Sequence, residues 1–401
     1  ARLRPAVRER GARGAGPRHG VRAQDAPQAL QRSRRKVPGG EETGRRLLRR
    51  GVPWPQHGDC GDRGREGGVS PGRCAQVESI QIDAPQLEHE AETLRLLASP
   101  SLPQGVPAVH FFGHAEPPCR VLVLDLLGHS LEDRVQWCQG RFDAPTTILV
   151  AEQVIRRIEY LHSKGIIHRD IKPENFMFGC HRKIHHIYLI DLGLSKRYWD
   201  DTKRKHVSIR TNLRFTGTAR YAAISSHRGV EQSRRSDLEA VGYMLLYFLR
   251  GSLPWPRLAR PRSGLDAKSQ EEKYRKILDK KQEVPLSELC RGHPPVFMEY
   301  LDYARNLSFA GRPDYELLKS RFRSARAELE RVSGAAIRDH DFKWLRGKDL
   351  SDLTPLDDDA PPQPDAAIVK AEARGGRRTM RYGLAGIGRA LALVLPCALC
   401  S

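Results

Sequence analysis

The sequence predicts an α+β fold, a helix and two short strands followed by a mainly helical body. Three observations carry this. A helical segment and two short apolar runs that read as strands, 107–113 and 120–127, stand early in the chain. Residues 237–249 (DLEAVGYMLLYFL) are apolar nearly all round, which marks a helix in the middle of a large domain. Between them two polar segments, HRDIKPEN and DLG, flank one apolar strand.

The elements follow in order. Over 87–97, Leu87, Leu94 and Leu97 fall near helical spacing with acids between them. The run 120–127 (RVLVLDLL) is almost wholly apolar, hence buried, and Gly128 ends it. SLEDRVQWC opens a helix with Ser130 as its N-cap. Residues 146–164 form an amphipathic helix lined by Val150, Val154, Ile158 and Leu161, with Gly165 following as the C-terminal stop. IYLID is a buried strand, and further helices are predicted over 269–280, 294–306 and 313–328. Residues 355–378, rich in Pro, Asp, Ala and Arg, read as a tail.

Composition excludes several classes. The chain has 401 residues, 39% of them hydrophobic, and eight scattered cysteines, which fits no disulfide scaffold and points to a reducing compartment, cytoplasmic or nuclear. The lone CxxC at Cys397 and Cys400 has no second pair to complete a zinc site. No run is long and apolar enough for a membrane span, and no signal peptide opens the chain. The net charge of +20 is uneven: residues 1–75 hold 17 Arg and one Lys against seven acids, with 14 Gly. That stretch reads either as an Arg/Gly-rich arm for RNA or as a segment that does not fold. Its single Trp54, with no Phe or Tyr, argues against a nucleic-acid partner.

The chemistry lies in His168-Arg169-Asp170-Ile171-Lys172-Pro173-Glu174-Asn175 and, sixteen residues past Asn175, Asp191-Leu192-Gly193. These match the catalytic loop and the metal-binding DFG segment of protein kinases, with Leu in place of Phe. Phosphoryl transfer needs an in-line hydroxyl and positive charge on the phosphate oxygens. Asp170 would orient the hydroxyl and accept its proton, and Lys172 would face the γ-phosphate. Asn175 and Asp191 would supply oxygens to Mg²⁺, which takes only one or two protein ligands. Thr218, in Thr216-Gly217-Thr218-Ala219-Arg220-Tyr221, would bridge Asp170 and Lys172. Asp237 would bond the backbone of the HRD turn.

At these residues the chain resembles the casein kinase I family. The segments that carry the resemblance are DLLGHSLED (125–133), IIHRDIKPENFMFG (166–179), LIDLGLSKRY (189–198), the run 216–255 and KYRKILDKK (273–281). The family's SIN-like triplet stands here as Ala223-Ile224-Ser225, and the likeness runs from about Ala75 to an FKWL segment at 342–345. The resemblance implies a two-lobed kinase fold, ATP and Mg²⁺, transfer to Ser or Thr, a monomer, and protein substrates with acidic or phosphorylated motifs. It implies an adenine site with Leu124 as gatekeeper, Asp125, Leu126 and Leu127 as hinge, and Met177 beneath the ring. Arg220 would hold a substrate anion, backed by a cluster of Arg210, Arg214, Arg234 and Arg235. The family's distal lysine for that site falls at Gln270, with Lys268 two residues earlier.

The pattern breaks in the small lobe. Glu90 matches the family's ion-pairing carboxylate, but Gln76 stands where its lysine belongs. No GxGxxG lies upstream, so the glycine loop and the first three strands are expected to be missing, leaving an apolar sheet face bare. Read one nucleotide later, suitable codons for residues 37–52 permit a strand, a glycine loop and a second strand in family style. The expected organisation is an Arg/Gly-rich segment over 1–75, disordered or out of frame, and a small-lobe remnant over 76–127 with one helix, two strands and the hinge. A helical lobe over 128–345 and a tail over 346–401 follow. A pseudokinase or scaffold lacking the glycine loop and the ATP-anchoring lysine is the alternative reading.

Overall fold

The structure, a computed structural model, describes residues 72–82, 84–115, 119–255, 267–356 and 368. The expectations for residues 1–71 and for the C-terminal CxxC lie outside the described residues.

The small lobe is a three-stranded antiparallel sheet with one helix against it. Its strands are β1 (Arg73–Ser79), β2 (Val109–Ala115) and β3 (Cys119–Asp125), in the order β1-β3-β2, and its helix is α1 (Leu87–Leu97). The strand at Arg73–Ser79 corrects two expectations. The small lobe has three strands rather than two, and ordered structure begins before the boundary drawn at 75/76. RCAQVES alternates only over Ala75-Gln76-Val77-Glu78, too short a run to mark a strand alone; pairing along its whole length with β3, from Arg73 opposite Asp125 to Ser79 opposite Cys119, makes it one. On β3, Leu122 and Leu124 join Leu87, Leu94 and Leu97 of α1 in the main core. The other face is not bare either. Cys119, Val121 and Val123 are buried, with Ala75, Val77, Phe111 and Ala115 packed against them, because the central strand is flanked on both sides. The Glu78 carboxylate accepts the Gln86 N–H at 2.8 Å and the Leu87 N–H at 3.3 Å, satisfying donors at the start of α1.

The larger lobe begins with α2 (Leu131–Trp137), where Ser130 and Asp133 form a reciprocal capping box. α3 (Ala144–Ser163) follows, with the Asp143 carboxylate accepting the Thr146 N–H at 3.0 Å. The predicted stripe of Val150, Val154, Ile158 and Leu161 is buried, and Gly165 leaves the helix at φ +76°. Short strands β4 (Ile166–Ile167), β5 (Phe176–Phe178), β6 (Ile187–Leu189) and β7 (Lys196–Arg197) pair as β4-β7 and β5-β6. β8 (Trp199–Asp200) and β9 (Lys205–His206) pair with each other. The helices α4 (Ile224–His227), α5 (Arg234–Arg250), α6 (Ala267–Glu283), α7 (Leu286–Leu289), α8 (Pro295–Asn306) and α9 (Tyr315–Ser333) complete the lobe.

α5 is the predicted central helix: every residue from Ser236 to Leu249 is buried. Gly242 lets α8 approach, since a Cβ there would lie 2.8 Å from Leu301 Cδ1. The FKWL segment packs back onto the lobe, with Phe342 and Trp344 stacked at 4.9 Å and Phe178 edge-on to Phe342. Among the described residues, no helix is long and apolar enough to cross a membrane.

Candidate active site

The catalytic loop runs between β4 and β5, and its shape is set from below by Asp237 in the first turn of α5. The Asp237 carboxylate accepts the His168 N–H at 2.7 Å and the Arg169 N–H at 2.9 Å, as the sequence led us to expect. It also accepts from His162 Nε2 at 3.0 Å. His162 Nδ1 lies 2.5 Å from the Tyr315 hydroxyl, so a neutral ring with its proton on Nε2 satisfies both neighbours. Burial would raise the pKa of Asp237, but the bonds from His162 and the two backbone groups hold it below the usual carboxylate range. These contacts fix a turn in which Arg169 takes φ +69°, a left-handed conformation that a free chain avoids.

His168 carries the constraint to the metal-binding segment. Its Nδ1 accepts the Asp170 N–H at 3.3 Å, so Nε2 bears the proton and donates to Ile190 O at 3.1 Å. Asp191, next in the chain, adopts φ +60°. The Ile190 N–H in turn donates to Asn175 O at 3.0 Å, so Asn175 and Asp191 stand on adjacent backbone.

Asp170 is 6% exposed and engaged on both oxygens. Lys172 Nζ lies 2.5 Å from Oδ2, and the Thr218 hydroxyl donates to Oδ1 at 2.7 Å. Asn175 Nδ2 donates to the Asp170 carbonyl at 2.9 Å. Thr218 thus meets Asp170, while Lys172 takes the opposite oxygen of the same carboxylate rather than being bridged by the threonine. Burial opposes the charge on Asp170, but Lys172 and Thr218 outweigh it and lower the pKa. Lys172 also lies 3.8 Å from Asp191 Oδ2 and is held protonated against its burial by both carboxylates. Gly217 permits the close approach: its φ is +100°, and a Cβ would fall 2.4 Å from Arg169 O.

The nucleotide side is assembled differently. Leu127 and Met177 come together with Tyr188 and Ile190 in one buried apolar cluster, while Leu124 is fully buried in the main core behind it. Of the predicted hinge, the Leu126 N–H donates to Gly72 O at 2.8 Å and is therefore not available to an adenine. The Asp125 side chain is also committed locally, to the Ala108 N–H at 3.0 Å and to His110 Nε2 at 2.7 Å.

Glu90 is buried and meets the Gln76 amide rather than an ammonium. Burial, reinforced by the charge of Asp191, pushes its carboxyl up to about 8, against hydrogen bonds from the backbone of Leu192 and Asp191 and from Gln76.

The predicted arginine cluster is corrected. Arg234 is buried, donates to Ala310 O at 2.9 Å and lies on the Tyr198 ring. Arg235 donates to Leu307 O at 3.0 Å. Arg210 is paired with Glu231 at 2.7 Å, which Lys196 also contacts at 2.7 Å. Three of the five are spent on packing and pairing: Arg234 and Arg235 sit in the first turn of the buried α5, and Arg210, though exposed, is neutralised by Glu231. Arg214 is exposed, and Arg220 lies half-buried over the rings of Tyr221 and Tyr247. The side chains at 268 and 270 lie outside the described residues.

Sequence reasoning missed the supports of this site. His162 and Tyr315 beneath the catalytic loop, and Glu239 to the Ile224 N–H, Lys281 to Ala219 O and Arg305 to Lys281 O beyond it, all act across gaps in sequence that no local signal spans. Only KYRKILDKK, as a motif, drew attention to Lys281.

The protein kinase domain family matches residues 78–310, more than half of the chain, and the chain belongs to that family. It is a phosphotransferase of the protein kinase type. Protein kinase domains use ATP with Mg²⁺ as the phosphoryl donor. The donor set fits that pair: Asp191 and Asn175 present hard oxygen-bearing side chains from adjacent backbone, and an apolar floor lies beside them. When bound, Mg·ATP supplies the transferable phosphoryl group. Asp170 offers the oxygen that would orient an acceptor hydroxyl and hold its proton. Lys172, between Asp170 and Asp191, supplies positive charge beside that oxygen.

Proposed function

We propose that the chain is a casein kinase I-like serine/threonine protein kinase. In this reading it transfers the ATP γ-phosphate to Ser or Thr of acidic or pre-phosphorylated protein substrates. The observation that carries it is the 2.7 Å bond from Thr218 to Asp170. A threonine so placed sets the height of the acceptor segment over the base and suits a short aliphatic hydroxyl. Arg220, half-exposed at the end of that segment, is the candidate to receive an anion on the substrate, with Arg214 exposed a few residues earlier. Asp170, Lys172 and Thr218 act on the acceptor, Asn175 and Asp191 hold Mg²⁺, and Leu127 and Met177 carry the adenine with Leu124 behind them.

The free cysteines among the described residues, Cys74, Cys119, Cys138, Cys180 and Cys290, support a reducing compartment, cytoplasmic or nuclear. We read the protein as a monomer acting on protein substrates.

The test is transfer of labelled phosphate from Mg·ATP to matched peptides bearing Ser, Thr or Tyr, each in neutral, acidic and phospho-primed contexts. Transfer to Ser and Thr favouring the anionic peptides is expected. Transfer to Tyr alone, or none from a folded chain that binds no nucleotide, overturns the reading.

A further inference from the structure

α6 carries a lysine in an unusual setting. Lys281 is fully buried, and no carboxylate lies within ion-pairing distance of it among the described residues. Its Nζ donates instead to Ala219 O at 2.9 Å and to Ala222 O at 2.5 Å, and stands 3.3 Å from His227 Nε2. It lies 4.7 Å from the centre of the Tyr243 ring and 5.1 Å from that of Trp255. A buried ammonium is costly unless its donors are satisfied, and here two carbonyls and two ring faces do so.

Both carbonyls belong to the segment whose Thr218 rests on Asp170. The carbonyl between them, Arg220 O, accepts from Trp255 Nε1 at 2.8 Å. His227 Nε2 lies 3.1 Å from Ala219 O. The segment is therefore held on the side away from the catalytic loop at residues 219, 220 and 222.

Its far end is anchored in an equally non-local way. Protein kinases generally close this segment with an A-P-E triplet, but Ser225 occupies the position of the carboxylate here. Glu239 of α5 accepts the Ile224 N–H at 3.1 Å and the Tyr243 hydroxyl at 2.7 Å, with Arg305 Nε 3.9 Å away. Arg305 also donates to Lys281 O at 3.1 Å, so the two anchors are joined.

We propose that Lys281 is a positioning residue for acceptor docking: by holding the carbonyls of Ala219 and Ala222 it fixes Thr216–Ala223 at the height where Thr218 meets Asp170. The proposal rests on the reading of that segment as the place where the acceptor peptide lies. Lys281 touches neither nucleotide nor reacting atoms, and its effect is on the acceptor side alone.

The experiment compares the full chain with Lys281→Met and Lys281→Arg by amide hydrogen exchange and by peptide phosphorylation. Methionine keeps the stem and removes the donors. Exchange over residues 219–228 should rise about tenfold while α3 is unchanged. The KM for acceptor peptide should rise about tenfold with that for ATP within about twofold. Arginine, which keeps donors and charge, should restore part of both. Exchange rising alike in α3, α5 and α8, or not rising at all, overturns the proposal. Should the parent chain transfer no phosphate, the catalytic reading fails on its own, and exchange still judges Lys281. Should the methionine variant fail to fold, the arginine variant decides, and exchange that rises in it across α3, α5 and α8 rather than over 219–228 counts against the proposal.

Discussion

The catalytic loop and the nucleotide anchor of this kinase stand in contrast. Around Asp170 the buried charged and imidazole groups are matched: Asp237 with two backbone donors and His162, His168 with Ile190 O, Asp170 with Lys172 and Thr218. In the small lobe the buried carboxyl of Glu90 faces an amide, and its Oε1 has no hydrogen-bond partner of good geometry. The acceptor half is organised by interactions within the large helical lobe. The nucleotide half depends on a short sheet and on one ion pair whose cation is absent. The difference teaches that the fold does not need the nucleotide anchor: the sheet pairs and the α1 core closes with Gln76 in place.

The sharpest way to break the comparison is to damage the well-built half. On the role proposed for Asp170, Asp170→Asn should lower transfer by about 10³–10⁴-fold, since it would remove the oxygen that orients and takes the acceptor proton. Nucleotide binding, followed by titration calorimetry, should stay within about threefold, because the role proposed for Asp170 is on the acceptor. A parallel loss of nucleotide binding would unmake the division between the two halves.

Asp237 tests how far the loop depends on its support. Asp237→Ala leaves the His168 and Arg169 N–H groups without their acceptor in a buried site, and should cost about 3–5 kcal/mol in urea unfolding. Its pKa is depressed in the folded state, so its contribution is present above the unfolded value of about 3.9 and fades as pH falls below it. The parent chain should lose stability steeply on that acid limb, and the alanine variant should lose less. Equal acid slopes would mean that Asp237 is not the charged partner described.

Much of this was legible in sequence, and the limits have a physical pattern. Val150, Val154, Ile158 and Leu161 announce a helix because the period of their burial equals the period of the helix. That His168, Asp170, Asn175 and Asp191 come together is legible because the two motifs that carry them keep the spacing of the kinase catalytic loop and metal-binding segment. The strand Arg73–Ser79 was hidden because β3, more than forty residues on, imposes it. Arg234 and Arg235 were misread as an anion site because charge in sequence says nothing about burial beside α5. Lys281 lies 62 residues from the carbonyl it holds, and the Tyr315 hydroxyl 153 from His162. Such pairs are set by packing of whole helices, which local pattern does not encode.

The comparison can also be sharpened by repairing the weak half. Gln76→Lys places an ammonium beside the buried Glu90, in the half-buried space the amide now fills. The pair should draw the carboxyl down into its charged form and tighten Mg·ATP binding by about tenfold or more. The check is the ATP-dependent rise in melting temperature, larger in the variant than in the parent. Transfer should rise with it only insofar as nucleotide binding limits the parent.

The smallest effect concerns Glu90 itself, and the sign of its pH dependence is what matters. Its folded pKa of about 8 lies above the unfolded carboxylate value of about 4.3. Between those values the folded chain keeps a proton that the unfolded chain releases, so stability falls as pH rises from about 4.3 to 8 and then levels off. Glu90→Gln abolishes this slope while keeping the shape of the side chain. The variant should therefore gain steadily on the parent as pH rises from about 5 to about 8. In the Gln76→Lys chain the dependence should reverse, because the carboxyl now ionises within an ion pair and Glu90→Gln removes that partner. Urea unfolding of the four combinations at the two pH values reads this as a double-mutant cycle. The same pH slope in the parent and in Glu90→Gln would show that the carboxyl of Glu90 is already ionised without a lysine. The small lobe would then hold a buried charge by its backbone donors alone.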